Sequence, residues 1–173
     1  MAVLEILKYP DSKLKKKCLP VEKIDANLRR LVQDMAETMY AAPGVGLAAP
    51  QVGCLLRLAV IDVSPADQPK SLLVLINPEI VETEGECSWE DGCLSVPDYS
   101  EEIRRKEKVV VRCQNLKGET VEIRGEGLLA IALQHEIDHL NGILFLDYLR
   151  SLKRALYKRR QKKEKEKKEG KEP

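Results

Sequence analysis

The stretch that decides the fold of this chain reads GLLAIALQHEIDHLNG, from Gly127 to Gly142. Its first turns are apolar nearly all round, which predicts a buried helix running from about Gly127 to Asn141. Gly142 suits the position just beyond a helix end, where a left-handed residue is favoured. A buried helix needs other elements packed around it, and the rest of the chain has to supply them.

The segments before this helix predict one amphipathic helix and then a series of strands. Asp25 can cap a helix that stops at Pro43-Gly44, with apolar residues at helical spacing: Leu28, Leu31, Val32, Met35 and Met39. Short β-rich runs follow at 55–63, 72–77, 79–86, 108–114 and 120–124, with turns expected at Asn77-Pro78 and at 115–118. No helical pattern separates these runs, so we predict an α+β fold in which antiparallel β-sheets pack around the 127–141 helix.

Charge divides the chain into two parts. We expect residues 1–149 to form one domain and residues 150–173 to form a basic C-terminal helix and frayed tail. The segment from Arg150 to Pro173 holds 12 Lys/Arg against 4 Glu, a net charge of +8 beside a body of −7. Such a tail is either a solvated helix end or an element that orients the molecule toward a polyanion.

Composition favours a cytoplasmic protein. Hydrophobic residues make up 43% of the 173 residues, enough for a core, and no long apolar run predicts a membrane span or an evident secretion signal. The five cysteines are odd in number and irregularly spaced, which argues for free thiols in a reducing compartment rather than a disulfide framework.

Within the buried helix, His135-Glu136-Ile137-Asp138-His139 matches H-E-x-x-H, and these are the only two histidines of the chain. Four residues turn a helix by about 400° and advance it by about 6 Å, so both imidazoles project from one face and can share a metal. Glu136 lies beside such a site, in the position of a general base for water.

A catalytic metal site of this type uses three protein ligands and one open position. One class of H-E-x-x-H proteases continues x-x-G-x-x-H, but Phe145 stands where that histidine would be. A downstream glutamate is disfavoured, because only Asp147 and the four glutamates of the tail follow His139 as acids. Thiols remain as candidates, and Cys93 stands out in the turn-forming segment Trp89 to Pro97.

A third feature is the loop GVGLAAPQVG from Gly44 to Gly53. Its letters match the dinucleotide fingerprint G-x-G-x-x-A, but it follows a helix and is cut by Pro50, so nucleotide binding is disfavoured. Small residues let the backbone approach a substrate closely, and Gln51 can donate to a developing oxyanion.

Taken together, the three segments resemble the peptide deformylase family. Gly44 to Gln51 meets the family pattern G-x-G-x-A-A-x-Q, and His135 to His139 meets H-E-x-x-H. The middle pattern E-G-C-x-S is met at Gly92, Cys93 and Ser95, but Asp91 stands where glutamate is usual. This shorter side chain changes the support that the loop would receive from a glutamate. The resemblance spans Leu4 to about Leu152.

The resemblance implies a metal held by Cys93, His135 and His139. Glu136 would take the proton of the attacking water and pass it to the leaving amine, while Gln51 and the Leu94 backbone N–H would stabilise the tetrahedral intermediate. The implied native metal is Fe(II), with Zn, Ni and Co as alternatives. A thiolate ligand makes the ion a milder Lewis acid and suits Zn or Fe(II) better than Mg or Ca.

The resemblance also implies the substrate and its contacts. The family removes the formyl group from the N-terminal formyl-methionine of nascent chains. Positions matching the methionine side-chain pocket are Val45, Gly46, Trp89, Leu128, Ile131 and the apolar side of His135. Trp89 is bulkier than the residue often found there, so it either narrows the pocket or lines its entrance.

The predicted partners are the N-formylmethionyl nascent peptide and, through the basic tail, the ribosome, with no membrane and no specific DNA. Two other hypotheses remain. One is an unrelated H-E-x-x-H peptidase, disfavoured by Phe145 and by the upstream cysteine. The other is a ribosome- or nucleic-acid-binding module with a vestigial centre, motivated by the tail and by Asp91.

Overall fold

A five-stranded antiparallel sheet carries helix α1 on one face and helix α2 on the other. The structure is a computed structural model that describes residues 2–149 and 151–169. The helices are α1 Ala26–Ala41, α2 Gly127–Leu140 and α3 Ser151–Glu169, with 3₁₀ turns at Ser12–Lys15, Ala49–Val52 and Phe145–Tyr148. The strands are β1 Gly46–Ala48, β2 Leu58–Ile61, β3 Leu73–Cys93, β4 Val96–Gln114 and β5 Thr120–Glu126.

Strand β2 lies inside the sheet and is buried on both faces. Its residues alternate, so that Leu58 and Val60 pack with the apolar stripe of α1 while Ala59 and Ile61 pack with α2. All four side chains are fully buried. The α+β class with antiparallel pairing is confirmed, but the described strands form one continuous sheet in chain order where several sheets were predicted.

Strands β3 and β4 are much longer than predicted. The runs 72–77 and 79–86 join within β3, and β4 begins at Val96 instead of at residue 108. Asn77-Pro78 is therefore not a turn. Asn77 has a φ of 53° and lies at a bulge where the pairing shifts between Ile76 and Glu79. Most of the added residues are exposed and about half are charged, and charged residues have low β-propensity.

The helix boundaries largely follow the predictions. Asp25 caps α1 by accepting a hydrogen bond from the Leu28 backbone N–H at 2.9 Å. Helix α3 begins at Ser151 and continues through the Lys/Glu repeats to Glu169, further than predicted, and the expected fraying of 170–173 concerns residues outside the described ones. No described helix combines the length and the apolarity needed to cross a bilayer.

Gly142 ends α2 in a Schellman motif. Its backbone N–H donates to the His139 carbonyl at 3.1 Å, and the Ile143 N–H donates to the Asp138 carbonyl at 2.9 Å. Gly142 has a φ of +74°, and a Cβ there would lie 2.5 Å from the backbone oxygen of Lys15. The helix that carries both histidines thus ends against the N-terminal segment at a point where only glycine fits.

We predict that Gly142→Ala lowers the free energy of unfolding more than Gly127→Ala does. Both glycines have a left-handed φ, so alanine costs each about 1 to 2 kcal/mol. A Cβ at Gly127 meets nothing within 4 Å, whereas at Gly142 it meets backbone, which adds at least about 1 kcal/mol. Urea unfolding of both variants under identical metal conditions tests this, and equal losses would contradict it.

Candidate metal centre and active site

His135 and His139 lie one turn apart on α2. Their ring centroids are 4.8 Å apart, and the two Nε2 atoms are separated by 3.1 Å. Burial, and then the neighbouring His135, hold the pKa of His139 well below its ordinary value. His139 is therefore neutral, the form in which an imidazole nitrogen can bind a metal.

Cys93 reaches these histidines from the end of β3. A two-residue turn, Leu94-Ser95, joins β3 to β4 and places the Cys93 Sγ 3.3 Å from the His139 Nε2. The side-chain amide of Gln51 donates to this sulfur at 3.5 Å, and the Ser95 backbone N–H donates to it at 3.4 Å. These contacts hold the Cys93 sulfur beside the two imidazoles, and a cysteine sulfur binds a metal as its thiolate.

The three side chains fit one divalent metal ion. Their ligand atoms all lie within 4.8 Å of one another. Tetrahedral coordination, with metal–nitrogen bonds of about 2.1 Å and a metal–sulfur bond of about 2.3 Å, separates ligand atoms by roughly 3.3 to 3.6 Å. The observed separations of 3.1 Å and 3.3 Å are close to this range. One sulfur with two imidazoles suits Zn or Fe(II) better than Mg or Ca.

Asp91 fixes the orientation of His135. Its Oδ1 lies 3.0 Å from the His135 Nδ1, so with that nitrogen protonated the Nε2 lone pair faces the other two ligand atoms. Burial opposes the charge of Asp91, but hydrogen bonds from His135 and Arg105 outweigh it and lower the carboxyl pKa. Asp91 therefore stays ionised, and it contacts His135, one of the three candidate metal ligands.

Glu136 lies beside the three ligands and is almost completely buried. Its Oε2 has no hydrogen-bond partner among the described residues, and burial raises the pKa of its carboxyl to about 7. A Cβ at Gly46 would come within 3.0 Å of this Oε2, so glycine leaves the room that the carboxylate occupies. A carboxyl with this pKa can take up and release a proton near neutral pH.

Gln51 is buried and held in one orientation. Its Oε1 accepts a hydrogen bond from the Ala48 backbone N–H at 2.9 Å, while its Nε2 donates to the Ser95 Oγ at 3.1 Å. The amide nitrogen is thereby directed at the hairpin turn next to Cys93. Leu94, the first residue of that turn, lines the same cavity as Gln51.

A cavity of about 350 Å³ opens beside these groups. Among its lining residues are all six that the resemblance assigned to substrate contacts: Val45, Gly46, Trp89, Leu128, Ile131 and His135. Ile131 is buried, whereas Val45, Trp89 and Leu128 are 37 to 43% exposed and form the rim. Of the two alternatives for Trp89, its position at the rim corresponds to the entrance.

Sequence reasoning missed Arg105 and gave Asp138 no role. Arg105 is buried and donates to both Asp91 and Asp138, although it belongs to a run of charged residues that resembles a solvated surface. Only the pairing of β3 with β4 places the Arg105 side chain next to Asp91. The sequence carries one weak signal, since Asp138 lies three residues after His135 and so on the same side of the helix.

We predict that Cys93→Ser weakens metal binding by more than about 100-fold, because a neutral hydroxyl replaces a thiolate ligand. Metal content per chain, measured by mass spectrometry after dialysis against a range of free metal, tests this. Cys87→Ser is the matched control, since Cys87 lies on the same strand outside the ligand set and should keep its metal. Full occupancy in the Cys93 variant would mean that another group supplies the third ligand.

Comparison with known proteins gives consistent matches. Residues 3–155 match the family described as Polypeptide deformylase. The peptide deformylase of Thermodesulfovibrio yellowstonii is 54% identical over 160 residues, which cover 92% of this chain and 97% of that protein. The peptide deformylase of Syntrophobacter fumaroxidans is 53% identical over 163 residues, covering 94% of this chain and 96% of its own.

Solved structures agree with the sequence matches. A peptide deformylase from Legionella pneumophila superposes with a TM-score of 0.90 at 48% identity, covering 99% of this chain and 100% of that one. The enzyme from Ehrlichia chaffeensis in complex with actinonin gives a TM-score of 0.90 at 41% identity, covering 95% and 98% of the two chains. With most of its length matched in both sequence and fold, this chain belongs to the polypeptide deformylase family.

Proposed function

We propose that this chain is a metal-dependent hydrolase that removes the formyl group from the N-terminal formyl-methionine of nascent polypeptides and releases formate. One observation carries the proposal: Cys93, His135 and His139 converge beside the buried Glu136, at the end of a largely apolar cavity. We infer the reaction from membership of the deformylase family, because that family removes N-formyl groups from nascent peptides.

Hydrolysis needs a nucleophile, a proton carrier and a stabilised oxyanion. A divalent ion held by Cys93, His135 and His139 would supply Lewis acidity, which can lower the pKa of water and polarise a carbonyl. Glu136 takes the proton from the attacking water. When the bond between the formyl carbon and nitrogen breaks, Glu136 returns that proton to the leaving amine, so formate and a free amino terminus result.

Gln51 and Leu94 are proposed to stabilise the charge that develops on the formyl oxygen. The Gln51 Nε2 is already oriented by its hydrogen bonds, so little reorganisation is needed when the charge forms. The Leu94 backbone N–H lies in the adjacent tight turn, and two such donors resemble the oxyanion holes of acyl-transfer enzymes.

The methionine side chain is proposed to occupy the cavity, with Val45, Gly46, Trp89, Leu128 and Ile131 around it. These residues are apolar or lack a side chain, and an unbranched thioether packs readily against such surroundings. The exposed rim of Val45, Trp89 and Leu128 would then meet the peptide where it leaves the cavity.

Fe(II) is proposed as the native metal, with Zn, Ni or Co able to occupy the same ligands. The support is the donor set of one thiolate and two imidazoles, which suits these ions, together with the family resemblance. A reducing, cytoplasmic location fits both a metal in its lower oxidation state and five cysteines that are all free.

The chain is proposed to divide into a catalytic domain at 1–149 and a ribosome-docking element at 150–173. Tyr157 is buried against Tyr9 and Tyr99, with ring centroids 5.8 Å and 4.8 Å away, so α3 contacts the catalytic domain as far as Tyr157 and the docking role falls to the residues after it. Beyond Tyr157, the residues from Lys158 to Pro173 hold 9 Lys/Arg and 4 Glu. This excess of positive charge suits a polyanionic partner.

We predict that Glu136→Gln keeps its metal but loses about 10² to 10⁴-fold in kcat on formyl-Met peptides, because it removes the proton carrier and leaves the ligands. Turnover of formylated, acetylated and unblocked Met peptides, with metal content measured in parallel, tests both the role and the reaction. Glu84→Gln, an exposed change elsewhere on β3, is the matched control. Metal loss that matches the activity loss would make Glu136 structural, and no turnover of formyl peptides by the parent enzyme would overturn the function.

We predict that removing residues 158–173 leaves turnover of small formyl-Met peptides within about twofold, because none of the proposed site residues lies there. Ribosome binding should weaken, with a loss that shrinks as salt rises. Co-sedimentation with ribosomes at two salt concentrations tests this. Removal of residues 170–173 is the control, since it takes away no net charge. Equal binding of the long truncation at low salt would leave the tail as a solvated helix.

A further inference from the structure

A group of buried charges lies next to the proposed ligands without belonging to them. Arg105 sits between two carboxylates, and its side chain is 3% exposed, against 6% for Asp91 and 17% for Asp138. Charges removed from water to this degree cost several kcal/mol each unless they are paired and hydrogen-bonded. Burial of these three charged groups together is therefore not explained by stability alone.

The hydrogen bonds of Arg105 are unequally shared. Its Nε and Nη2 both donate to the Oδ2 of Asp91, at 3.2 Å and 2.7 Å, and its Nη1 donates to the Oδ2 of Asp138 at 2.6 Å. The fork of the guanidinium thus clamps one oxygen of Asp91. The other oxygen, Oδ1, is left for the His135 Nδ1 at 3.0 Å.

The two histidines of the ligand set differ in their outer support. His135 has Asp91 behind it, whereas the buried Nδ1 of His139 has no hydrogen-bond partner among the described residues. The geometry of the ligand set therefore depends more on the hydrogen bond that orients His135 than on any contact of His139 Nδ1. Outer partners of this kind set the tautomer and direction of a metal-binding imidazole.

Asp138, the second carboxylate that Arg105 contacts, lies nearer the solvent than Asp91 does. Asp138 also accepts a hydrogen bond from the Tyr148 hydroxyl at 2.8 Å. The Tyr148 ring lies 5.1 Å from the guanidinium carbon of Arg105, within the range of a cation–π contact. Asp138 follows His135 by three residues on α2, so one guanidinium joins the hairpin to the helix.

We propose that Arg105 is a positioning residue for the metal centre: it holds Asp91 so that the carboxylate keeps the His135 Nε2 directed at Cys93 and His139. Arginine suits this role because its rigid fork can reach both carboxylates at once. A lysine ammonium keeps the charge but lacks the fork, so the two residues are not interchangeable here. The inference rests on the proposed ligand set but not on the reaction.

The test uses the full chain loaded with Co(II), whose visible absorption reports the coordination geometry. We expect Arg105→Lys to release Co(II) to an excess of chelator about 10 to 100 times faster than the parent protein, with an altered Co(II) spectrum. The KM for a formyl-Met peptide should stay within about twofold while kcat falls, because the cavity is unchanged. Arg112→Lys is the matched control on the same strand, where Arg112 pairs with Glu122 at 3.1 Å on the surface.

A double-mutant cycle separates action through Asp91 from a general structural role. Asp91→Asn alone should also speed the release of Co(II), and adding Arg105→Lys to it should change the rate by less than about twofold. If the two substitutions each speed Co(II) release and their factors multiply in the double mutant, the proposal is overturned. It is also overturned if Arg105→Lys folds and releases Co(II) at the same rate as Arg112→Lys. If Arg105→Lys does not fold, Asp91→Asn decides alone, and release at the parental rate overturns the proposal.

Discussion

The convergence of the Cys93 sulfur with the two imidazoles of α2 is the contact on which the rest of the structure depends. Sγ and the His139 Nε2 are 3.3 Å apart, although 46 residues of chain separate them. The contact exists only if β3 runs without interruption to Cys93 and if α2 packs against the sheet at one fixed height. Strand β3 pairs with β4 up to Cys93, and the C-terminal end of α2 is held against Lys15 at Gly142.

The buried charged groups of the site differ in how completely they are hydrogen-bonded. Glu136 is enclosed with an unpartnered oxygen, and its pKa near 7 reflects that burial. Asp91 and Arg105 are buried as well, and Asp138 is partly buried, but Arg105 donates hydrogen bonds to both carboxylates. The proposed proton carrier, Glu136, thus keeps one oxygen without a hydrogen-bond partner among the described residues, while the charged groups behind His135 are hydrogen-bonded. Natural proteins commonly accept such local costs at functional sites.

Sequence reasoning succeeded where the structure is local and missed what depends on strand register. The cap at Asp25, the course of α1 and α2, and the one-turn spacing of the histidines follow from helical periodicity within short windows. The continuation of β3 and β4 through charged residues does not, because β-propensity there is low and pairing partners lie far apart in sequence. Arg105 became visible as a buried residue only once that pairing was known.

We propose that one divalent ion is bound by one sulfur and two imidazoles. X-ray absorption spectroscopy of the Zn-loaded protein measures this set directly. We expect one sulfur neighbour at about 2.3 Å and nitrogen or oxygen neighbours at about 2.0 to 2.1 Å, with the outer-shell scattering of two imidazoles. A spectrum without sulfur, or with more than one sulfur neighbour, would contradict it.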